Sequence, residues 1–382
     1  MSWITDLSPS HIQKLVPYAS AGRDQQTGEI WLNANENPSA RSLEGLPSNF
    51  NRYPDFQSER LLEAYAAYAG CTSEQLMVSR GIDEGIDLLL RAFCTPDKDS
   101  IAYTPPTYGM YSISAEMQGI RTVPVPLTND FQLDIDQFMP SSLDPSSRAE
   151  SRDRVLDRTK SLDSVQGDNT LKLIFLCSPN NPTGNLLKRE DVLQVLELTR
   201  RKSLVVLDEA YIEFSPESSF IQEIGNYDNL IVARTLSKGF GLAGLRCGFL
   251  AADPEIIQIL RKVSAPYPIP VPVVDIATAA LTQEGTKNMQ EDVESLTEYR
   301  QRLETTISQF DYVETVFPSE ANFILFRVRD AQNLLDYLGS KGIIIRDQSR
   351  QLLLENCVRI TIGSPDELST LIEAMKEYGE GS

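Results

Sequence analysis

Short apolar runs alternate with helical patterns from about Asn33 to Pro266, and this alternation limits the possible folds more than any other feature. The clearest apolar runs are SIAYT, LKLIFLC, SLVVLDEA and NLIVART. Each is mostly apolar rather than alternating, as expected of a strand that is covered on both faces. In GIDEGIDLLLRAF the apolar residues instead recur at helical spacing. The pattern therefore predicts an α/β fold around a mostly parallel sheet.

A loop that carries polar residues follows each of these predicted strands. In chain order the loops are PPTYGMY, SPNNPTG, DEAYIEF and TLSKGF. Ligands of open parallel sheets bind beyond the carboxyl ends of the strands. We therefore expect the four loops to form one binding site.

The rest of the chain predicts a second, smaller domain. The stretch SAPYPIPVPVV contains too much proline for a regular helix or a central strand, and we interpret it as the crossing between domains. Beyond it, a long helical pattern near DVESLTEYRQRLETTI precedes three strand candidates, ANFILFRV, GIIIRD and CVRITIG. The segment from Pro140 to Thr170 is polar and lacks an apolar period, so we expect a surface excursion there.

Composition excludes several classes of function. The net charge of −19 leaves no basic excess to bind nucleic acid, and it has the wrong sign for an anionic membrane surface. The single histidine, His11, rules out histidine-rich zinc sites and Ser-His-Asp triads, and no metal site is predicted. The amino terminus lacks the pattern of a signal peptide, no run is long enough to span a membrane, and the five cysteines form no C-x-x-C pair. We expect a cytoplasmic protein with reduced thiols.

The stretch RTLSKGFGLAGLRCGF admits two incompatible interpretations. Gly239, Gly241 and Gly244 match the G-x-G-x-x-G pattern of dinucleotide sites. That pattern requires a strand that leads directly into the glycines and an acidic residue about 20 positions further on. Here TLSK separates IVAR from the first glycine, and residues 260–266 contain no acid. We therefore favour the second interpretation, in which Lys238 forms a Schiff base with an aldehyde.

Lys238 has sequence neighbours that suit this chemistry. A Schiff-base lysine must lose its proton, and a nearby cation, for which Arg246 is the candidate, lowers the pKa of its amine. If the aldehyde belongs to pyridoxal phosphate, Ser237 and Arg246 also suit the phosphate of that cofactor. Taken alone, a Ser-Lys pair is more often part of an ordinary surface loop.

The other loops favour the cofactor over the ordinary loop. Asp208 follows four apolar residues, so it ends a strand and could keep a pyridine nitrogen protonated. Tyr211 and Asn181 could bond the ring hydroxyl oxygen, Gly81 opens a helix whose first N–H groups could hold a phosphate, and Tyr108 could stack on the ring. Each also has a structural alternative: a helix cap, a core aromatic or a plain turn. Their occurrence together beside a Ser-Lys loop favours the cofactor site.

These residues resemble those of a known family. Their order is Gly81-x-Asp83, Tyr108, Asn181-Pro-Thr-Gly, Asp208-x-x-Tyr211, Ser237-Lys238 and Arg246. It is similar to that of the fold-type I pyridoxal-phosphate aminotransferases. The segments LNANENP, RYPDF, PPTYGMYSISAE, SPNNPTG, DEAYIEF, TLSKGFGLAGLRCGF, GIIIRDQS and VRITIG extend the resemblance to the histidinol-phosphate aminotransferase family, over nearly the whole chain.

The resemblance implies an architecture with three parts. An N-terminal arm, 1–32, would pack on the small domain or on the partner subunit. A large domain, 33–265, would hold the cofactor on a mostly parallel seven-stranded sheet between helices. A smaller α+β domain would comprise 266–382.

The resemblance also implies a role for each site residue. Lys238, Asp208 and Tyr211 would be catalytic, with Lys238 carrying pyridoxal 5'-phosphate as a Schiff base and Asp208 pairing with the ring nitrogen. Asn181 and Tyr211 would bond the ring oxygen, and Tyr108 would stack on the ring. The cofactor phosphate would contact Ser237, Arg246, the backbone of Gly81, Ile82 and Asp83, and Tyr53 from the second subunit of a homodimer. The substrate would contact Arg346 and Arg359 through its phosphate, together with Asn33 and Tyr18.

The implied reaction converts L-histidinol phosphate and 2-oxoglutarate to imidazole-acetol phosphate and L-glutamate. The family usually has alanine where this chain has Ile82, Gly239 and Gly241, and we expect the two glycines to loosen a helix after the lysine. Two alternative functions remain open at this point. The same scaffold can decarboxylate phosphothreonine or transaminate aromatic amino acids, or it can persist as a ligand-binding module without activity. The intact Lys238 and Asp208 count against the inactive module.

Overall fold

The computed structural model describes residues 2–16, 34–37, 39–40, 50–138 and 170–381. Its larger sheet has seven strands in the order β1-β7-β6-β5-β4-β2-β3. The strands are β1 (Leu76–Ser79), β2 (Asp99–Tyr103), β3 (Arg121–Pro124), β4 (Thr170–Cys177), β5 (Leu204–Asp208), β6 (Leu230–Thr235) and β7 (Gly248–Ala252). Only β7 runs antiparallel to its two neighbours in this sheet. The expected α/β fold and its mostly parallel sheet are confirmed, and so are the four strands predicted from the apolar runs.

Helices cover both faces of this sheet. They are α1 (Trp3–Leu7), α2 (Ser10–Gln13), α3 (Glu59–Ala69), α4 (Ile82–Phe93), α5 (Met110–Met117), α6 (Arg189–Thr199), α7 (Pro254–Val263) and α8 (Val271–Ala280). Successive residues of β5 alternate between two apolar clusters. Val205 and Leu207 pack with α3, α6 and α8, whereas Leu204 and Val206 pack with α4, α5 and α7. Burial on both faces explains why this strand is a continuous apolar run in the sequence.

A smaller antiparallel sheet follows, with its own helices and apolar cluster. Its strands are β8 (Val313–Phe317), β9 (Phe323–Val328), β10 (Arg346–Asp347) and β11 (Cys357–Thr361), in the order β10-β11-β9-β8. The helices are α9 (Gln283–Ile307), α10 (Ala331–Ser340) and α11 (Pro365–Gly381). The predicted long helix is therefore confirmed, although it begins nine residues before the pattern that predicted it.

Two local predictions in this region are wrong in extent. GIIIRD forms a strand only at Arg346–Asp347. Ile343 and Ile345 pack on the apolar cluster of the smaller sheet outside any strand, and Ile344 is 85% exposed. The proline-rich stretch contributes the start of α8 at Val271. Its prolines, Pro270 at the N-cap and Pro272 in the first turn, stand where a helix needs no N–H donor, so they do not prevent helix formation.

The described part of the predicted N-terminal arm, residues 2–16, packs on helices of the larger sheet and not on the smaller one. Ile4, Leu7 and Ile12 join the apolar cluster that includes α4 and α7. The Ser8 hydroxyl donates to the carbonyl oxygen of Ala92 over 2.7 Å, which fixes the arm to the end of α4. Burial of these apolar side chains stabilises the packing of residues 2–16 on these helices.

Two further sequence predictions can be compared with the described residues only. The Pro140–Thr170 excursion lies outside them except for Thr170, which begins β4. Among the helices of the described ranges, none combines the length and the apolar character needed to cross a membrane.

Candidate active site

The candidate site lies at the carboxyl ends of the parallel strands β4, β5 and β6. Asp208 is the last residue of β5, and it is paired in register with Cys177 of β4 and Ala233 of β6. Lys238 lies three residues after β6 ends. The parallel register therefore brings the acid and the lysine to the same edge of the sheet, as the order of the polar loops predicted.

Asp208 is buried, with 3% of its surface exposed, and two groups donate to its carboxylate. The Tyr111 hydroxyl donates to Oδ2 over 2.6 Å, and the Ala210 backbone N–H donates to Oδ1 over 3.0 Å. Burial raises the pKa of Asp208 to about 6, while these hydrogen bonds act in the opposite direction. The acid is therefore held in a low-dielectric position, where the two hydrogen bonds favour its ionised form.

The Lys238 amine lies half-buried over an aromatic ring. Its Nζ atom is 5.5 Å from the centroid of the Tyr211 ring. Burial is the main cause that lowers the pKa of Lys238, followed by the positive charge of Arg359, and Asp208 opposes both. Arg246, the cation that the sequence suggested, acts in the same direction as Arg359 but less strongly.

Arg359 reaches the site from the smaller sheet. Its Nη1 atom donates to Oδ1 of Asn181, and its guanidinium carbon is 5.1 Å from the centroid of the Phe323 ring. An amide that accepts through Oδ1 presents its Nδ2 atom as a donor, so Asn181 remains able to bond a ring oxygen. Arg346 is paired in register with Arg359 across β10 and β11, but its side chain is exposed.

Glycines at two strand ends form a tight cradle beside Arg246. Gly81 has φ +81°, a conformation that favours glycine, and a Cβ built on it would lie 2.7 Å from Nη2 of Arg246. A Cβ on Gly248 would lie 2.8 Å from the Gly81 Cα. Gly81 caps α4 without a side-chain hydrogen bond, so the first N–H groups of this helix have no acceptor within the helix.

Charged and polar side chains complete the cradle. Asp83 accepts from the Tyr108 hydroxyl over 2.9 Å and from Nη2 of Arg246 over 3.2 Å. Gly248 of β7 pairs in register with both Ser79, the last residue of β1, and Thr235, the last residue of β6. The loops after these two strands, which carry Gly81 and Ser237, therefore lie on either side of Gly248. Free helix N–H groups, a hydroxyl and a guanidinium fit a phosphate group, as the cofactor of the resembled family would require.

A buried asparagine joins the loops after β2 and β4. Asn180 donates through Nδ2 to the carbonyl oxygen of Pro106 over 2.9 Å and to the Thr183 hydroxyl over 2.6 Å. Its Oδ1 atom accepts from the Thr107 hydroxyl over 2.8 Å. This network fixes the backbone next to Tyr108 and Asn181, which are the two residues that the sequence had singled out in these loops.

Some predicted contacts lie apart from this group or outside the described residues. Tyr53 is 56% exposed and stacks on Tyr267, with 4.3 Å between ring centroids. Tyr18 and Asn33 lie outside the described residues.

Sequence analysis missed Tyr111 and Asn180. Tyr111 lies in the same PPTYGMY segment as Tyr108, and the two rings meet edge to face with 5.7 Å between centroids. Asn180 stands directly before Asn181 and gave no separate signal.

The expectation of a loosened helix after Lys238 is wrong. The chain forms a turn there, and the next regular element is the short 3-10 helix Ala243–Leu245. Gly241 has φ +65°, which this turn requires and which favours glycine. Gly239 lies close to a side chain of another loop, since a Cβ built on it would lie 2.5 Å from the Cβ of Glu213.

Comparison with known proteins agrees with this geometry. The family model described as aminotransferase class I and II matches residues 21–375. A histidinol-phosphate aminotransferase of Haemophilus influenzae (strain PittEE) is 46% identical over 374 residues, which cover 98% of this chain and 99% of that protein. Histidinol-phosphate aminotransferase 1 of Pasteurella multocida (strain Pm70) is also 46% identical, over 98% of this chain and 99% of its own length. The fold is similar to that of the Sinorhizobium meliloti histidinol-phosphate aminotransferase solved in complex with pyridoxal-5'-phosphate, with a TM-score of 0.73, 24% identity, and coverage of 87% of this chain and 84% of that one.

Proposed function

Because this chain belongs to the histidinol-phosphate aminotransferases, within the class I and II aminotransferase family, we propose that Lys238 is the residue that binds pyridoxal 5'-phosphate covalently. The enzyme converts L-histidinol phosphate and 2-oxoglutarate to imidazole-acetol phosphate and L-glutamate, a step of histidine biosynthesis. One observation carries the assignment of residues: a buried Asp208 ends β5, and Lys238, whose pKa is lowered, follows the end of the neighbouring parallel strand β6.

Asp208 controls the protonation of the cofactor ring. Pyridoxal phosphate, when bound, supplies an aldehyde that reacts with amines and a pyridine ring that accepts an electron pair. The carboxylate of Asp208 holds a proton on the ring nitrogen, because a negative charge next to that nitrogen favours its protonated form. Tyr111 keeps this carboxylate oriented and favours its ionised state through the hydrogen bond to Oδ2.

Lys238 moves protons between the substrate and the cofactor. With the cofactor bound, its amine would take the proton from the α-carbon of the substrate and would hold that proton for the later transfer. Only the neutral amine can act as the base, and burial together with the charge of Arg359 lowers the pKa of Lys238 and so increases that neutral fraction. The Tyr211 ring, 5.5 Å from Nζ, supports the amine in this position.

Different groups hold the two phosphates. The first N–H groups of α4, from Ile82 and Asp83, bind the phosphate of the cofactor with Ser237 and Arg246. Arg359 and Arg346 bind the phosphate of the substrate, with Asn33 and Tyr18 nearby. Tyr108 stacks on the cofactor ring, while Asn181 and Tyr211 bond its hydroxyl oxygen.

We extend the proposal to the assembly and its location. The exposed Tyr53 contributes to the cofactor phosphate site of the second subunit in a homodimer, which accounts for an aromatic side chain that is 56% exposed. The division into an arm (1–32), a large domain (33–265) and a small domain (266–382) also remains a proposal. A cytoplasmic location is supported by the five cysteines, all of them free.

Borohydride reduction of the purified enzyme, followed by peptide mapping, tests the covalent assignment. We expect the cofactor on the peptide that contains Lys238, and no fixed cofactor in a Lys238→Ala variant. Transamination rates with histidinol phosphate, phenylalanine and phosphothreonine, together with an assay for decarboxylation of phosphothreonine, then test the substrate. A cofactor mapped to another lysine would refute the first assignment, and a preference for either other substrate would refute the second.

A further inference from the structure

An exposed aromatic side chain, Tyr53, lies flat against a second ring. Its ring stacks on that of Tyr267, with 4.3 Å between centroids and 14° between planes. A surface tyrosine without such a partner exchanges among several rotamers. The stack therefore restricts the Tyr53 ring to one orientation, although much of the side chain remains exposed.

The segment that carries Tyr267 is restricted and anchored. Tyr267 stands between Pro266 and Pro268, and each proline has a fixed φ and disfavours helical conformations of the residue before it. The next residue, Ile269, is buried in the apolar cluster of the larger sheet that includes residues of α3 and α8. The ring of Tyr267 is therefore presented from a fixed main chain.

Hydrogen bonds fix the main chain around Tyr53 as well. Glu36 Oε1 accepts from the Tyr53 backbone N–H over 2.7 Å, and Glu36 Oε2 accepts from Nη1 of Arg52 over 2.7 Å. Further along the chain, the Gln57 side chain accepts from the backbone N–H of Val78 over 2.8 Å and donates to its carbonyl oxygen over 3.1 Å, which ties the segment to β1. The chain is thus held on both sides of Tyr53, and the stack controls the ring.

This arrangement orients the Tyr53 hydroxyl in advance. A donor that is already oriented loses less conformational freedom when it binds an anion, so the complex is more stable. The hydroxyl lies at the end of a ring whose plane is set by Tyr267. The stack needs only the two rings, whereas phosphate binding needs the hydroxyl, so substitution can separate the two roles.

We propose that Tyr267 is a positioning residue for Tyr53, and that the stack holds the Tyr53 hydroxyl where the cofactor phosphate of the second subunit binds. The proposal rests on the proposed function in one respect, namely that Tyr53 serves the opposite site of a homodimer. Tyr267 touches neither the substrate nor the cofactor and acts through the placement of Tyr53.

The dissociation constant of pyridoxal phosphate, measured by equilibrium dialysis, tests the role of the stack. Tyr267→Leu removes the ring and should raise this constant about three- to tenfold, the range expected for loss of an aromatic pair. Tyr267→Phe keeps the ring and should remain close to the wild type. Phe310→Leu is the matched control and should leave the constant unchanged, because it removes a ring stacked on Tyr312 in the smaller sheet region, with 5.5 Å between centroids and 5° between planes.

A double-mutant cycle separates positioning from packing. Tyr53→Phe keeps the stack but removes the hydroxyl, so it should raise the dissociation constant by itself. Tyr267→Leu should then add little in the Tyr53→Phe background, because the group that it positions is gone. Sedimentation at the dialysis concentration should show a dimer for every variant.

Three results would overturn the proposal. Full additivity of Tyr53→Phe and Tyr267→Leu would show that Tyr267 acts independently of the hydroxyl. A Tyr267→Phe variant as impaired as Tyr267→Leu would show that the ring is not what matters. Loss of the dimer in Tyr267→Leu would assign the residue to subunit packing.

The Tyr53→Phe variant identifies which proposal has failed. An unchanged cofactor dissociation constant in Tyr53→Phe would overturn both the proposed role of Tyr53 and this inference. A raised constant in Tyr53→Phe together with an unchanged one in Tyr267→Leu would overturn this inference alone.

Discussion

Tyr111 donates its hydroxyl to Oδ2 of Asp208 over 2.6 Å, and both side chains are buried. The ring of Tyr111 is itself fixed, because it stacks on Phe175 with 5.0 Å between centroids. Burial raises the pKa of Asp208 to about 6, and the Tyr111 hydrogen bond limits that rise because it stabilises the ionised carboxylate. The ionisation of the Asp208 carboxylate therefore depends on a tyrosine that contacts it from the start of α5.

Tyr111→Phe should shift the pH dependence of the reaction. Loss of the donor raises the pKa of Asp208 further, so the acidic limb of the kcat profile should move to higher pH. We expect a loss of roughly tenfold near neutral pH, in line with a hydrogen bond to a charged group of about 1.5–3 kcal/mol. Tyr312→Phe is the matched control, because it removes a buried 2.8 Å hydrogen bond to the Met375 carbonyl oxygen in the smaller sheet region. Equal pH profiles for the two variants would contradict the role of Tyr111.

Asp208→Asn should retain the fold and lose most of the activity. A neutral amide cannot hold the ring nitrogen of the cofactor in its protonated form, and removal of one such electrostatic element commonly lowers the rate by about a hundredfold or more. Single-turnover kinetics with histidinol phosphate measures the effect. Asp275→Asn, which breaks an exposed ion pair with Arg60, is the control and should stay near the wild type. An Asp208→Asn rate within a few-fold of the wild type would show that another group protonates the ring.

The raised pKa of Asp208 should make the unfolding free energy of the cofactor-free protein depend on pH. The pKa of about 6 in the folded state lies above the ordinary value of 3.8, so between these pH values the folded state holds a proton that the unfolded state has lost. Stability therefore falls as the pH rises through this window, by an amount on the order of 3 kcal/mol. Asp208→Asn lacks this titration, so its advantage over the wild type should grow from pH 4 to above pH 6 in denaturant unfolding. A difference that stays constant with pH would contradict the raised pKa.

Local patterns in the sequence predicted the loops of the site but not all of its contacts. The four strands that carry the loops are continuous apolar runs because both faces are buried, and Asp208 was found because a polar residue directly follows such a run. Arg359 could not be connected to Lys238 in this way, since it comes from the other sheet and only the packing of the two sheets brings it near. The predicted apolar runs did not include β1, β3 and β7 of the larger sheet or β8 of the smaller one.

The relation between Glu213 and Gly239 shows a second limit. A glycine can mark a backbone with positive φ or a place where another part of the chain comes too close for a side chain. The sequence does not distinguish these two cases. Gly241 belongs to the first kind, with φ +65°, and Gly239 to the second. The close approach at Gly239 involves Glu213 of a different loop and cannot be read from the sequence.

Mixed dimers should show whether Tyr53 acts across the subunit interface. Tyr53→Ala should raise the cofactor dissociation constant by roughly tenfold or more, as expected when a donor to a charged phosphate is lost. Mixed with Lys238→Ala chains, it should form hybrids in which one site combines an intact Lys238 with an intact Tyr53 from the other chain. Activity should then exceed the mean of the two parents at limiting cofactor. No gain in verified hybrids would mean that Tyr53 does not serve the opposite site.

Substrate choice should depend on Arg359. An ordinary amino-acid aminotransferase must bind an α-carboxylate, whereas histidinol phosphate has none and presents a phosphate. The half-buried Arg359 guanidinium is held by Asn181 and the Phe323 ring, and this fixes its orientation for a dianion more firmly than that of the exposed Arg346.

Arg359→Lys should raise the KM for histidinol phosphate by about tenfold or more, because a lysine cannot reproduce bidentate binding. Activity on unphosphorylated histidinol should be poor in the wild type and nearly unchanged by the substitution. Cofactor affinity should also persist, since the proposed site for the cofactor phosphate consists of Ser237, Arg246 and the start of α4. Arg346→Lys provides the comparison and should have the smaller effect, because its side chain is exposed and more screened by solvent. Equal wild-type efficiency with histidinol and its phosphate would refute the phosphate clamp, and with it the choice of substrate.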